Sequence, residues 1–294
     1  MLRNRHSLTL IIVLLICACA TGGARSKNVL FDDFQNASTA ELASHGWIMR
    51  TAPGWPGVPG ALWGPESFSL TDGILRMTAT TSGDPAMTRQ SQLCHQRKFL
   101  DGTYAARVRF SEAAASGPNG DQYVQSFYLI SPIKAPMDRT YAEVDFEYLA
   151  NAGWGTIKPT LFATTWDTFQ LEPWIADRTF TNRTENFAGW HTLVMHVDRG
   201  AVRYFIDGQP FAEHRGRRYM EMLSINFNLW FIRDQLLKST DTREYQEEID
   251  WVYFRGGETL SPASVEAQVA EMRRRGVAFV DTVPASGLDS PCNF

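Results

Sequence analysis

The sequence predicts an all-β protein, an antiparallel β-sandwich closed by one short C-terminal helix. Three observations predict it. Short segments alternating apolar and polar residues follow one another along the chain, separated by turn signals such as Asp198-Arg199-Gly200 and Asp207-Gly208. Aromatic residues make up 12% of the sequence and stand beside 22 Gly and 14 Pro, which suits strands and turns better than a helical bundle. One segment alone carries both a helix start and a helix stop. At 294 residues, 44% hydrophobic and 20% charged, the chain can bury a sizeable core, which argues against disorder. With 28 basic and 32 acidic residues it lacks the broad basic surface that non-specific nucleic-acid binding needs, so nucleic acid is excluded as a partner.

The first segment reads as an address. Arg3 and Arg5 precede an unbroken apolar run from Leu8 to Ile16, the pattern of a secretory signal over residues 1–18, too short to span a bilayer. Ile16-Cys17-Ala18-Cys19 also resembles a bacterial lipobox, with Cys19 the lipidated residue; ordinary cleavage after Ala18-Cys19-Ala20 is the competing reading. Either way the protein is exported, secreted or held to a membrane through a lipid anchor and by no other part of the chain. Residues 19–28 read as a tether, and the domain should run from 29 to 256.

Between Thr51 and Gly64 lie four Gly, three Pro and two Trp, a loop too rich in proline for a ladder and unusually aromatic for solvent, of the kind that borders a cleft. Strands are then expected at Gly102–Phe110, Gln122–Ile130, Tyr141–Leu149, Thr160–Trp166, His191–Val197, Val202–Ile206, Ser224–Phe231 and Ile249–Phe254. The extension 257–294 holds the helix, with Ser261 as N-cap, Pro262 in the first turn, Val265, Val269 and Met272 on one side and Gly276 as the stop. Cys94 and Cys292 either pair in an oxidising compartment or remain two thiols; they make no disulfide scaffold.

The most informative stretch is Tyr141-Ala142-Glu143-Val144-Asp145-Phe146-Glu147-Tyr148-Leu149. On a strand, Glu143, Asp145 and Glu147 share one face, while Ala142, Val144, Phe146 and Tyr148 share the other and suit a core. The Cα atoms of Glu143 and Glu147 lie about 13 Å apart at ~3.3 Å per residue, and each side chain leaning inward by roughly 4 Å brings the carboxyls near the ~5–5.5 Å of a retaining glycosidase. Neighbouring carboxylates ~6.6 Å apart repel by about 2.5 kcal/mol at an effective dielectric of ~20, so one of them should hold a proton near neutrality. That supplies an ionised nucleophile and a protonated acid together. A solvated outer face or an acidic calcium site would show the same alternation, and context has to decide.

The pattern E-x-D-x-E with apolar intervening residues resembles the signature of glycoside hydrolase family 16, the jelly-roll glucanases, in the regular spacing of lichenase-type enzymes and xyloglucan transglycosylases. The match extends over Asp101–Arg109, Gly189–Thr192, Val202–Gly208, Asn226–Trp230 and Glu248–Val252, covering roughly residues 29 to 256. The resemblance implies a concanavalin A-like jelly roll and a retaining endo-glycosidase, hydrolysing or transglycosylating a β-glucan-like polysaccharide as a monomer. Position by position it implies Glu143 as nucleophile, Glu147 as general acid/base and Asp145 as the residue that orients Glu143. Tyr141 would stack on sugar at the cleaved bond, and Asn228 and Trp230 would form a substrate-facing pair. No cofactor is required; Asp250 resembles a position that can hold a structural calcium, against its reading as a plain surface acid. Departures are Ala142, where relatives commonly carry a polar residue, the 51–64 insertion and the tail beyond Gly257.

Tyr128 and Trp166 are further candidates, because sugars present flat C–H faces to aromatic rings. The histidines show no metal spacing, and no phosphate-cradling glycine loop or G-x-S-x-G elbow occurs. A lectin-like module that binds polysaccharide without cutting it is the alternative, and a structural envelope protein a third reading. Three unneutralised acids favour catalysis, since a binding groove gains nothing from repelling carboxylates.

Overall fold

A computed structural model describes residues 28–35, 38–216, 221–290 and 292; the signal, Cys19 and the tether up to residue 27 lie outside them. Two antiparallel sheets face each other. The first runs in the order β2 (Trp47–Met49), β6 (Arg89–His95), β15 (Ser224–Phe231), β8 (Tyr123–Ile130), β9 (Glu143–Leu149), β10 (Thr160–Gln170) and β11 (Ile175–Arg183). The second runs β4 (Phe68–Thr71), β5 (Ile74–Thr81), β16 (Arg243–Gly256), β7 (Gly102–Phe110), β12 (Gly189–Val197), β13 (Ala201–Ile206) and β14 (Gln209–Arg215). Beside the C-terminal half of β16 lies β1 (Val29–Asp32), which in turn pairs with β17 (Phe279–Asp281); β3 (Leu62–Trp63) runs parallel to the start of β6.

The core lies where the inner faces meet, with Phe127, Val144, Phe146, Ile225, Phe227 and Leu229 from the first sheet against Tyr104, Val108, Leu193, Met195, Ile249 and Val252 from the second. Alternation therefore decides which side chains reach the other face of the first sheet, where the acids of β9 stand. All eight expected strands are present. The expected Ile249–Phe254 strand is the second half of the 14-residue β16, whose first half pairs with β5 and whose second half pairs with β1.

The helix α1 (Pro262–Arg274) has Ser261 accepting from the backbone N–H of Ser264, and Gly276 follows it at φ +70°. It buries Val265 and Val269 on the outer face of the second sheet, against Val29, Phe31, Val194, Trp251 and Tyr253. Each such valine contributes about 1.5–3 kcal/mol. The extension does more than end in a helix: β17 adds a strand to the sheet, and Cys292 is disulfide-bonded to Cys94 with Cα atoms 5.6 Å apart. No helix among the described residues is long and apolar enough to cross a membrane.

Candidate active site

Strand β9 sits between β8 and β10, with apolar Val144, Phe146 and Tyr148 fixed in the core. The acids are thereby forced onto the opposite face, away from the core, because slipping the register by one residue would bury them and expose the core set. Cross-strand neighbours complete three rows on that face. Glu143 lies between Ile130 and Trp166, Asp145 between Tyr128 and Thr164, and Glu147 between Ser126 and Phe162. The rows continue to Asn226 and Asn228 on β15 and to Arg178 and Phe180 on β11.

Asp145 is buried at 1% exposure, whereas Glu143 and Glu147 are half-buried and reach solvent. The Trp166 indole N–H donates to Asp145 Oδ2 at 2.8 Å, and the Tyr141 hydroxyl donates to Glu143 Oε2. Oδ1 of Asp145 has no hydrogen-bond partner among the described residues. Burial pushes Glu143 up to about 7, against the lowering effects of the Tyr141 hydroxyl, Asp145 and Arg178. Burial, with the nearby Glu143 charge, pushes Glu147 up to about 8, Arg178 again opposing. Asp145 is raised by burial first and by the charges of Glu143 and Glu147 next, which favours its protonated form. All three acids are thus desolvated, Arg178 opposes the shift at Glu143 and Glu147 but not at Asp145, and the three compete for ionisation. The arrangement keeps one carboxyl protonated beside another that ionises near neutrality.

The structure brings Tyr128, Tyr141, Trp166, Asn228 and Trp230 around the ladder, in roles that partly differ from those expected. Tyr128 and Tyr141 are buried and offer no platform to a sugar. Tyr128 instead accepts at its hydroxyl from the amides of Gln92 and Asn228, both at 2.9 Å, and Tyr141 spends its hydroxyl on Glu143. Trp166 and Trp230 keep half-exposed rings, Trp230 lying 6.1 Å from exposed Trp154 at the Glu147 end. Oδ1 of Asn228 is buried on the same face and has no hydrogen-bond partner among the described residues. Asp250 lies far from the site and does not fit calcium: Arg273 engages both of its oxygens, at 2.6 and 3.3 Å, and Arg107 adds a third contact at 3.3 Å. A cation there would have to displace two guanidiniums.

Sequence reasoning missed Arg178, which stands opposite Trp166 with its guanidinium 4.6 Å from that ring and 5.4 Å from Phe180. Its strand, Ile-Ala-Asp-Arg-Thr-Phe-Thr-Asn-Arg, is almost wholly exposed and lacks the alternation that marks the others. Buried Arg50 was also missed; its guanidinium lies 4.0 Å from the Trp63 ring and donates to Gln92.

No family model matches the sequence and no curated protein matches it. Solved structures do match. A mixed-linkage glucan enzyme of glycoside hydrolase family 16 from Bacteroides ovatus, bound to an oligosaccharide product, is 16% identical over 76% of this chain and 98% of its own, with a TM-score of 0.59. A β-glucanase from Bacillus licheniformis is 14% identical over 78% and 99%, TM-score 0.57. The κ-carrageenase of Pseudoalteromonas carrageenovora, complexed with a tetrasaccharide, is 13% identical over 83% and 99%, TM-score 0.57. The fold is the jelly roll of these glucanases.

Proposed function

We propose that the protein is a retaining glycosidase of the family 16 kind, acting on a β-linked polysaccharide through a covalent glycosyl-enzyme ester. The observation that carries this reading is the ladder itself: three desolvated acids on one strand of a jelly-roll sheet, the outer two reaching solvent and the middle one buried between them. Ionised Glu143 attacks the anomeric carbon while Glu147 delivers its proton to the departing glycosidic oxygen. The bond from carbon to that oxygen breaks as the ester to Glu143 forms. Glu147, now ionised, then takes a proton from water or from a sugar hydroxyl, whose oxygen displaces Glu143 and restores both groups. Asp145, anchored by Trp166, keeps a proton next to the nucleophile and fixes its orientation. Tyr141 holds the Glu143 oxygen in place.

The neighbouring structures named above act on mixed-linkage glucan and κ-carrageenan, which supports a polysaccharide substrate. Export is part of this reading, with Cys19 as the candidate lipid site, and the Cys94–Cys292 disulfide supports an oxidising compartment. Whether internal bonds or chain ends are cut depends on what lies at the two ends of the cleft rather than on the carboxylates.

The test is a screen of purified protein against mixed-linkage glucan, laminarin, xyloglucan and κ-carrageenan, with Glu143→Gln and Glu147→Gln controls. Cleavage of at least one polymer, lost in both variants, is the expected result. Binding without cleavage on all of them would instead identify a lectin-like module.

A further inference from the structure

Two segments stand outside the glucanase resemblance, the 51–64 loop and the C-terminal tail. Both end on β6. Gln90, Gln92 and Cys94 project from that strand to the face that carries the acids, since Leu93 between them lies in the core. Each of the three is covered. Gln90 accepts the backbone N–H of Val58 at 3.1 Å and reaches the Pro56 carbonyl at 3.4 Å. Gln92 accepts from Arg50 at 2.9 Å, and the same guanidinium donates to the carbonyls of Ala52 at 2.8 Å and Trp55 at 3.1 Å. Cys94 is joined to Cys292, and the tail is tied down beside it by Ser290 on the His95 carbonyl and Ser286 on that of Arg97.

The consequence for access is direct. Gln90, Gln92 and Cys94 are at most 1% exposed, so no sugar can rest on β6. On the opposite side of the acids the loop reaches only the far end of β10, where Trp55 lies 5.8 Å from Phe169, and the face along β11 is open, with Arg178 and Asn182 exposed and Phe180 51% exposed. Between β9 and the covered strand lie only β8 and β15, about 14 Å at ~4.8 Å per strand. Arg50 shows that the cover is held in place. It is wholly buried, has no carboxylate partner among the described residues, and spends its bonds on the loop backbone and Gln92. Burying an unpaired cation is costly, and here the cost secures the position of the loop.

We propose that the 51–64 loop and the disulfide-pinned tail form a stop that makes the cleft blind on the β6 side. The protein then takes a polysaccharide by its end and releases short oligosaccharides of one size. This rests on the glycosidase reading and departs from the internal cutting that the family resemblance implies. The recess over β8 and β15, floored by Asn228 and Trp230, accommodates the few sugars that leave as product. The remainder of the polymer lies across β10 and β11.

The experiment follows viscosity, reducing ends and product sizes together on mixed-linkage glucan, laminarin and κ-carrageenan. Wild type should give one short product from the outset, with viscosity falling slowly for each bond cut. Two opened variants are compared with it: Cys292→Ser, and a loop variant with residues 53–59 replaced by a short Gly-Ser turn. Opening the stop should produce a ladder of sizes and a severalfold greater viscosity loss per bond. A random ladder from wild type overturns the stop and leaves the glycosidase reading standing, even if neither variant folds. If wild type gives the single product and both folded variants give it unchanged, the stop is also wrong. Failure of wild type and both variants to cut any polymer removes the glycosidase reading, and the stop with it.

Discussion

Strand β9 and the loop before β8 both remove carboxylates from water, and they do so to opposite ends. At the junction of β16 with the loop before β8, Asp121 is wholly buried against wholly buried Arg243, with two bonds of 2.7 Å between them. The Tyr245 hydroxyl at 3.0 Å and the Leu237 N–H at 2.8 Å satisfy the carboxylate further. On β9 three acids are desolvated with neither a bidentate cation nor a full set of donors. Burial with a matched partner makes a rigid fastening. Burial without one leaves groups whose charge is undecided near neutral pH, the condition that acid–base chemistry needs.

The largest expected effect tests the ladder. Replacing Glu143 by Gln should lower turnover by about 10⁴-fold or more, and replacing Glu147 by Gln by roughly 10²- to 10⁴-fold. The Glu147 loss should shrink on an aryl glycoside whose leaving group needs no proton. Thermal unfolding of both variants should be no worse than wild type, because each removes a desolvated, repelling acid. Wild-type turnover in either one would leave the ladder without its assigned roles.

The fastening should respond in the reverse sense. Arg243→Met leaves Asp121 charged and buried without its cation and should cost about 3–5 kcal/mol of stability in denaturant titration, with turnover per folded molecule unchanged. A loss of activity without a loss of stability would erase the contrast between the two places.

The difference between these regions was only partly legible in the sequence. Alternation in β9 placed the three acids on one face, because the period of a strand is fixed by geometry and the apolar partners Val144 and Phe146 pin the register. Depth was not legible. Alternation says which face a residue shares and nothing about what lies on top of it, so Tyr128 and Tyr141 read as platforms when they are buried hydrogen-bonding supports. Arg178 escaped because β11 buries almost nothing, and Arg50 because an unpaired buried guanidinium has no local pattern at all. The Cys94–Cys292 bond could not be chosen over two free thiols, since 198 residues separate them and only tertiary structure brings them together.

The pH profile sharpens the contrast further. Activity needs Glu143 ionised and Glu147 protonated, with the first lifted to about 7 and the second to about 8. Turnover should therefore follow a narrow bell, falling about tenfold per pH unit below the first value and above the second. Because the acids titrate as a set, the two limbs belong to the set and not to single residues. A broad plateau centred on pH 5 would mean that the acids are not desolvated in the working protein.

The smallest expected effect concerns a fourth unpaired acid, away from the groove. Glu247 on β16 is wholly buried, neither of its oxygens has a well-formed hydrogen bond among the described residues, and burial raises its carboxyl well above the ordinary 4.5, with a weak approach of the Ser126 backbone N–H opposing. The unfolded chain ionises this group freely above 4.5 and the folded chain does not, so rising pH favours unfolding from that point upward. Below 4.5 both states hold the proton and nothing is lost. Glu247→Gln removes the titration while keeping the shape, and should gain about 1–2 kcal/mol at pH 8 and almost nothing at pH 4. Equal gains at both pH values would show that packing, and not ionisation, is what the substitution changes. A loss at pH 8 would mean that the charged form is held by a partner, placing Glu247 with Asp121 and not with the ladder.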